Sequence, residues 1–450
     1  MSESIVVVGC GAVGGTAAQF ARKTNRKAKI TVFESGKYPQ YSKCALPHLI
    51  AGKVKDIIEF SEEWFERSKI DLYLETTVTE IDIDRKIAVA TDGKETHEVQ
   101  FDSLVIATGA TSFIPPIEGI TENGMLKKGV FTLRTLDDAK SILSYLDNVD
   151  NVIIVGAGMI GLEMAETLKE RKKEVKVVEL LPSILPATLD QDMAEIVLGR
   201  IEREVEIFTN HKVKEIKGKG KVDGVVIESN EGNEREMETD MVIVATGVRP
   251  NIELAKSMGC EIGKAIKIDK RTMTSRKDVY AAGDCTEYFD FVTGKSFPIG
   301  LGSIGVRQGI VAGINAAGGD AELPDGFIQT RTTKIFGLEI AAVGPTSNDI
   351  SDRKPLFGKF KGSSLPDYFP GGEEITVKVL IDSDDGTIIA GQAVGANASL
   401  RINTVACAVF NRMKVDDFVR LETAYAPPVA PTLDAMTIAA DVAKMRYGRR

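Results

Sequence analysis

Paired cysteines, histidines and clustered positive charge are all scarce in this 450-residue chain. The five cysteines, at positions 10, 44, 260, 285 and 407, include no C-x-x-C pair, and only three histidines accompany them. That spacing supports neither a zinc site nor an extracellular disulfide framework, so no metal is expected. Any thiol chemistry rests on single cysteines. A net charge of −9 and the lack of a basic run exclude a nucleic-acid surface, which needs clustered Lys and Arg. No apolar stretch approaches the ~18 to 20 residues of a membrane-spanning helix. The apolar opening Ile5-Val6-Val7-Val8 lacks the basic region of a signal peptide. A cytoplasmic protein with no membrane and no nucleic-acid partner is expected.

Glycine is plentiful instead, at 42 residues, and 43% of the chain is apolar, ample for two or three domains. The strand Ile5 to Val8 runs into Gly9-Cys10-Gly11-Ala12-Val13-Gly14, an alanine-rich helix to about Lys23, and a strand Ile30 to Phe33 closed by Glu34. This is the pattern of a βαβ nucleotide unit. Gly9 serves the tight turn, Gly11 lets backbone approach a pyrophosphate, and Gly14 lets helix and strand pack closely. At the strand end, Glu34 can accept bonds from the adenosine ribose hydroxyls.

The pattern recurs as a strand Asn151 to Val155, a loop Gly156-Ala157-Gly158-Met159-Ile160-Gly161, a helix Leu162 to Lys172, and a strand Val175 to Val178 ending in Glu179. Two dinucleotides and an electron path between them are expected. Glu179 repels the 2'-phosphate of NADP, and Leu180-Leu181-Pro182 supplies no cation, so NADH is favoured over NADPH.

Two further apolar strands end in Ala-Thr-Gly, at Ala107-Thr108-Gly109 and Ala245-Thr246-Gly247, and read as crossing points between domains. The strand Val279 to Ala282 ends in Gly283-Asp284, placing a carboxylate at the carboxyl edge of a parallel sheet, where ligands bind. A turn aspartate or a helix N-cap is the other reading. From about Phe327 the patterning turns antiparallel: Ile375 to Ile381 alternates, Asp384-Asp385-Gly386 is a hairpin turn, and Thr387 to Val394 returns. Helices are expected around Asn403 to Met413 and Asp434 to Met445. The fold class is α/β, with two Rossmann-like dinucleotide-binding domains and an α+β C-terminal domain for packing or dimerisation.

In this order, the two glycine loops, the two Ala-Thr-Gly strands and Gly283-Asp284 resemble the FAD-dependent pyridine nucleotide-disulfide oxidoreductases. Ser42-Lys43-Cys44-Ala45-Leu46-Pro47, Tyr368-Phe369-Pro370-Gly371 and Tyr425-Ala426-Pro427-Pro428 resemble their single-cysteine branch. That branch holds coenzyme A-disulfide reductases, NADH oxidases, NADH peroxidases and sulfur or polysulfide reductases.

The resemblance implies FAD in residues 1–112 and 249–324, NADH in 113–248, and a homodimer formed through 325–450. It assigns FAD to Gly9, Gly11, Ala12, Val13, Gly14, Glu34, Ser35, Lys43, Ala107, Thr108, Gly109, Arg134, Gly283, Asp284 and Gly302. Cys44 then lies over the flavin ring and Asp284 on the ribityl chain. NADH falls to Gly156, Gly158, Ile160, Gly161, Glu163, Glu179 and Gly247, with Glu163 near the nicotinamide. Tyr425 matches a tyrosine that reaches the partner subunit's active site, and Tyr368 is a substrate contact. The chain departs from the branch in two places. Ala12-Val13 stands where peroxidases and many water-forming oxidases carry a histidine, which lowers the peroxidase reading. His48 replaces a usual tyrosine, and Val429-Ala430-Pro431 lacks the usual serine or bulky residue, which leaves the substrate open.

A thiolate is the attacking form of cysteine, and a free thiol is mostly protonated at neutral pH. Pro47 suits the first turn of a helix, expected from Leu46 to Ala51, which places Cys44 at its positive end beside Lys43. Both favour the thiolate. With no cysteine neighbour, oxidised Cys44 is a mixed disulfide or a sulfenic acid. Cys10 belongs to the pyrophosphate loop, Cys260 and Cys407 read as packing residues, and Cys285 as structural. His48 is an acid, a substrate contact or a structural residue. Arg22 and Lys23 either hold a coenzyme A phosphate or simply suit a helix C-terminus. The expected activity is NADH reduction of a small disulfide, such as coenzyme A disulfide, or of polysulfide, through FAD and Cys44, with Tyr425 protonating the leaving thiolate. The alternatives are reduction of O2 or peroxide, electron transfer to a small redox protein, and a non-enzymatic flavoprotein.

Overall fold

The computed structural model describes residues 3–449. The chain forms two compact units, one from the residues up to Ser112 with Val248–Asp290 and Gly294–Phe327, the other from Phe113–Gly247, Phe291–Thr293 and the residues from Ile328 on. Residues 113–247 thus share a unit with the C-terminal segment. The sequence reading kept 113–248 and 325–450 as two domains.

In the first unit a five-stranded parallel sheet runs in the order Val279–Ala281, Ser103–Ile106, Ser4–Val8, Lys29–Phe33, Ile70–Tyr73. Its central strands are continuous apolar runs because both faces are covered, one by the helices Ala12–Thr24 and Gly302–Ala316 and the other mainly by the strands Thr77–Asp82 and Ile87–Thr91; Ile5, Val6, Val7, Leu104, Val105 and Ile106 are fully buried. The chain reverses strand order beside Ser4–Val8, and such a switch point opens a crevice at the carboxyl ends of the strands. The helix Ala12–Thr24 leaves from that crevice. Packed against it is the helix Gly302–Ala316, with small residues at the contact. A Cβ on Gly313 would stand 2.2 Å from the Ala17 carbonyl oxygen, so the helices approach only because that position is glycine.

The second unit repeats the sheet in the order Val130–Thr132, Met241–Val244, Asn151–Val155, Glu174–Val178, Glu206–Phe208, again all parallel. Each unit also carries a three-stranded antiparallel sheet inserted before its Ala-Thr-Gly strand: Thr77–Asp82, Ile87–Thr91 and Thr96–Gln100 in the first, His211–Lys217, Gly224–Ser229 and Glu234–Glu238 in the second. The sequence reading passed over both. Their outer strands are short and charged with largely exposed faces, and none of the strands carries a motif.

The remainder of the second unit is a five-stranded antiparallel sheet in the order Arg331–Ile335, Leu338–Val343, Ile388–Gly395, Glu374–Ile381, Leu356–Ser363. Helices Ala398–Phe410 and Ala435–Tyr447 cover it. Three local expectations change. The nucleotide helix expected from Leu162 starts at Met159, so Gly161 lies inside its first turn. The helix expected at Asn403 starts at Ala398, after Asn397 in the left-handed region. The strand Glu374–Ile381 alternates in sequence yet is buried on both faces, because acidic side chains pair with its polar residue Lys378.

Candidate active site

The two glycine loops adopt one geometry. Gly9 has φ +101° and Gly156 φ +105°, and a Cβ on either would stand within 2.6 Å of the carbonyl oxygen of Ala107 or Ala245. The alanine of each Ala-Thr-Gly strand therefore forms the floor beneath a glycine turn, a role beyond the crossing point expected of it. Gly14 and Gly161 pack on the carbonyls of Gly9 and Gly156, at 1.9 and 2.0 Å from a built Cβ. Gly11 and Gly158 instead face open space, with no atom within 4 Å of a built Cβ. Both helices start there without a side-chain cap and without an acid in the first turn, so their N–H groups remain for a phosphate. The cradles fit dinucleotide pyrophosphates.

Each strand-end acid braces its loop. Glu34 accepts from the Cys10 N–H at 2.6 Å and the Gly36 N–H at 2.8 Å, one on each carboxylate oxygen. Glu179 accepts from Ala157 at 2.7 Å and Leu181 at 2.8 Å in the same way. Each oxygen keeps acceptor capacity for a ribose hydroxyl. Beyond Glu179, Leu180 and Leu181 are exposed and bring no cation.

At the other side of the first crevice, Gly283-Asp284 forms a tight turn, with the Thr286 N–H on the Gly283 carbonyl at 2.8 Å, so Asp284 is no helix N-cap. The amide oxygen of buried Gln308 holds the Gly283 N–H at 2.8 Å. Val13 packs against Gly283 and Gly305, where it meets any side chain added at either glycine. Thr108 and Asn251 exchange side-chain hydrogen bonds with each other's carbonyls at 2.8 Å, closing the first Ala-Thr-Gly segment. Gly302 opens its helix with nothing within 4 Å of a built Cβ. Arg134 belongs to the second unit, where its N–H meets Asp138 in the cap of the helix Leu136–Tyr145. Sequence alone marked neither Gln308 nor Asn251, because their roles depend on backbone groups brought near by the fold.

Cys44 sits in a single 3-10 turn, Lys43–Ala45, that feeds the helix Leu46–Ala51, with Pro47 in its first turn and Gly52 closing it at φ +79°. Leu46, Pro47 and Ile50 anchor that helix while Cys44 and His48 are exposed. No disulfide forms among the described residues. Burial, reinforced by the Glu34 charge, pushes the Cys10 thiol far above its ordinary value; burial raises Cys260 and Cys285 as well. Cys407, expected to pack, is instead exposed on the outward stripe of helix Ala398–Phe410 with Leu400 and Phe410. The helix period turns that position away from the sheet.

Among the expected substrate residues, Arg22 is already committed. Its guanidinium donates to the carbonyls of Asn25, Arg26, Ala28, Ser68 and Lys69, so it braces a loop and is not available to grip a phosphate. Lys23 is exposed, over the Phe20 ring at 4.4 Å. Tyr368 and Tyr425, far apart in sequence, are brought together: their hydroxyls are 3.0 Å apart and both rings are exposed. That hydrogen bond raises the Tyr368 phenol above its ordinary pKa. Glu163 accepts a hydrogen bond from the Thr333 hydroxyl at 2.6 Å, a contact that no motif announced.

Residues 3–309 match the family of pyridine nucleotide-disulphide oxidoreductases, and residues 330–437 match the dimerisation domain of the same family. The chain belongs to that family, whose members are FAD-dependent oxidoreductases that use NAD(P)H. It is 40% identical to a Methanocaldococcus jannaschii protein named NADH oxidase, over 99% of both chains. It is 33% identical to a Pyrococcus furiosus protein named NAD(P)H sulfur oxidoreductase (CoA-dependent), over 98% of this chain and 99% of the other. A solved NAD-dependent persulfide reductase from A. fulgidus superposes with a TM-score of 0.93 at 34% identity, covering 99% of this chain and 84% of that one. Among the described residues, no helix is long and apolar enough to cross a membrane.

Proposed function

We propose that the chain is an NADH-dependent reductase of small disulfides, such as coenzyme A disulfide, or of polysulfide, acting through Cys44 in a homodimer. One observation carries the proposal: of the four cysteines in the first unit, Cys44 alone is exposed, and Cys10, Cys260 and Cys285 are buried. No second accessible thiol stands in that unit to close an internal disulfide, so the oxidised form joins Cys44 to half of the substrate. The cradle of Gly9, Gly11 and Gly14, with Glu34 and Asp284, is assigned to FAD, and that of Gly156, Gly158 and Gly161, with Glu163 and Glu179, to NADH. FAD, when bound, supplies the conversion of a hydride from NADH into the electron pair that a disulfide needs.

The Cys44 thiolate attacks one sulfur of the substrate, forming a mixed disulfide and releasing the other half as a thiolate. The partner subunit's Tyr425, hydrogen-bonded to Tyr368, protonates that leaving group. Two electrons and a proton then return Cys44 to the thiolate and free the second thiol, so one NADH and one proton yield two thiols per disulfide. The five cysteines, none in a disulfide, suit a reducing, cytoplasmic compartment. The relatives named for sulfur and persulfide chemistry support the same reading. A second reading, reduction of O2, is favoured by the similarity to the protein named NADH oxidase. Ala12-Val13 in the first glycine loop opposes its variant that relies on a histidine there.

Anaerobic and aerobic NADH turnover with coenzyme A disulfide, polysulfide, O2 and peroxide, on the native protein and Cys44→Ser, tests the proposal. The variant is expected to lose disulfide and polysulfide turnover by at least ~100-fold while retaining flavin, because the nucleophile of the exchange is gone. Rapid turnover with O2 alone, or full disulfide turnover by Cys44→Ser, overturns it.

A further inference from the structure

We infer that Leu185 is a positioning residue for NADH: its backbone N–H fixes the Ala157–Gly158 peptide so that the Gly158 N–H stays turned into the pyrophosphate cradle of the second loop. The inference rests on the assignment of NADH to that cradle. The Leu185 N–H donates to the Ala157 carbonyl at 2.9 Å. In a planar trans peptide the C=O and the N–H of one unit point in opposite directions, so whatever holds the Ala157 oxygen also sets the direction of the Gly158 N–H. That N–H meets no acceptor among the described residues, and it lies at the start of the helix Met159–Glu170, beside the space that Gly158 leaves clear. A donor so placed suits an anionic oxygen. The Ala157 N–H is taken by Glu179 at 2.7 Å, so the peptides on both sides of Ala157 are tied and the turn into the helix has one orientation. The first loop lacks the second tie: among the described residues no N–H meets the Cys10 carbonyl. The bond is therefore not a general requirement of a glycine turn.

Leu185 makes this bond from a conformation that leucine rarely adopts. Its φ of +50° lies in the left-handed region, where a Cβ crowds the backbone, and the following Pro186 favours an extended residue before it. Such residues persist only where their surroundings over-determine them, and they gather at ligand clamps. Here the surroundings do so. The Leu185 side chain is buried with those of Ile184, Thr188 and Leu189. Its carbonyl accepts from the Thr188 N–H at 2.8 Å and the Leu189 N–H at 3.0 Å, which closes the turn around Pro186. The next residue, Asp190, is pinned by the antiparallel sheet: Lys378 lies 2.7 Å from its carboxylate, and the Gln392 amide oxygen takes its N–H at 2.9 Å. The left-handed step lets the Leu185 N–H face Ala157 while the chain that follows reaches this anchor.

The test uses the FAD-loaded protein without any disulfide. Incorporation of leucic acid, the α-hydroxy analogue of leucine, at position 185 turns the Ile184–Leu185 amide into an ester and removes only this N–H. Affinities for NAD+, ADP-ribose and adenosine are measured by calorimetry, flavin bleaching by NADH in anaerobic stopped flow, and folding by thermal melting. The ester variant is expected to bind NAD+ and ADP-ribose about tenfold more weakly, the effect of one misdirected hydrogen bond to a charged acceptor, and adenosine, which has no phosphate, as the native protein does. The NADH concentration for half-maximal bleaching should rise by the same factor with the limiting rate unchanged, because the pyrophosphate takes no part in hydride transfer. Leu185→Gly, which keeps the donor and accepts a positive φ, is expected to melt lower yet keep native NAD+ affinity. Native NAD+ affinity in the ester variant, at any melting temperature, would reduce the bond to a structural tie and overturn the inference. So would a loss in Leu185→Gly equal to that in the ester, which would place the effect in side-chain packing. If the ester variant does not fold, Leu185→Val, whose branched side chain resists the left-handed region, is read in the same assays. A native protein that binds no NAD+ would sink the assignment of the cradle and this inference with it, whereas loss of disulfide turnover alone would sink the proposed function and leave this result standing.

Discussion

Cys10, Cys260 and Cys285 differ from Cys44 in surroundings, and the surroundings decide which thiol can react. Cys10 contributes its N–H to Glu34, and burial with the nearby Glu34 charge keeps its thiol protonated well above neutral pH. Cys285 is fully buried beside the Ala282 carbonyl, 3.3 Å away, and burial again raises it. Since only thiolates alkylate readily, protein reduced with excess NADH and treated with iodoacetamide at pH 8 should label Cys44 while Cys10, Cys260 and Cys285 remain unmodified until the chain is unfolded. Peptide mapping checks this, and native labelling of Cys10 would contradict the assigned environment. Sequence spacing singled out Cys44, and the Pro47 helix start was legible because proline fits only the first turn. The exposure of Cys407 was not legible, since an apolar helix such as Ala398–Phe410 does not announce which stripe faces the sheet. Nor was the commitment of Arg22 to five carbonyls, because two of them, at Ser68 and Lys69, lie more than forty residues away in sequence and reach Arg22 only through the fold.

Among the elements, the strand Glu374–Ile381 shows where pattern misleads. Its alternation is real, but the face carrying Lys378 is covered: the Lys378 ammonium lies 2.7 Å from Asp190, 2.6 Å from Asp192 and 4.3 Å over the Phe357 ring. No local signal could reveal this, because the acids come from the start of the helix Gln191–Ile201, in a different part of the chain. Burial alone would raise the Asp190 carboxyl, but hydrogen bonds from Lys378 and Ser347 outweigh it and hold the pKa below its ordinary value. A carboxyl lower in the folded than in the unfolded chain stabilises above its unfolded pKa, about 3.9, and that contribution is lost as pH falls through the folded value. Thermal melting from neutral pH into this acid range should therefore show a loss of stability that Asp190→Asn diminishes. Lys378→Met leaves covered Asp190 without its cation, while Asp192 keeps Lys359, and should cost about 3–5 kcal/mol at neutral pH, with part of it recovered by adding Asp190→Asn. A Lys378→Met protein that melts like the native one would show that the buried pair is not holding this strand.

At the scale of the whole molecule, the two nucleotide sheets repeat one plan down to the carbonyl beneath the first glycine, and this repetition was the most legible feature of the sequence. Strand, glycine loop, helix and acid recur because each is required by the same ligand geometry, whereas the inserted antiparallel sheets recur without a motif and were missed. The repetition raises the question of whether the cradles are interchangeable or separately assigned. The structure offers a clean way to ask it. Gly9, Gly14, Gly156 and Gly161 cannot take a side chain without meeting backbone, but Gly11 and Gly158 face open space, so a valine at either fills the cradle and leaves the packing intact. Gly11→Val should fold, with native circular dichroism, yet be purified without flavin. Gly158→Val should retain one FAD per chain with its visible spectrum and lose bleaching by NADH, while chemical reduction of the flavin by dithionite still regenerates the Cys44 thiol. Loss of flavin from Gly158→Val, or its retention in Gly11→Val, would overturn the assignment of one nucleotide to each unit, because neither change touches the opposite cradle.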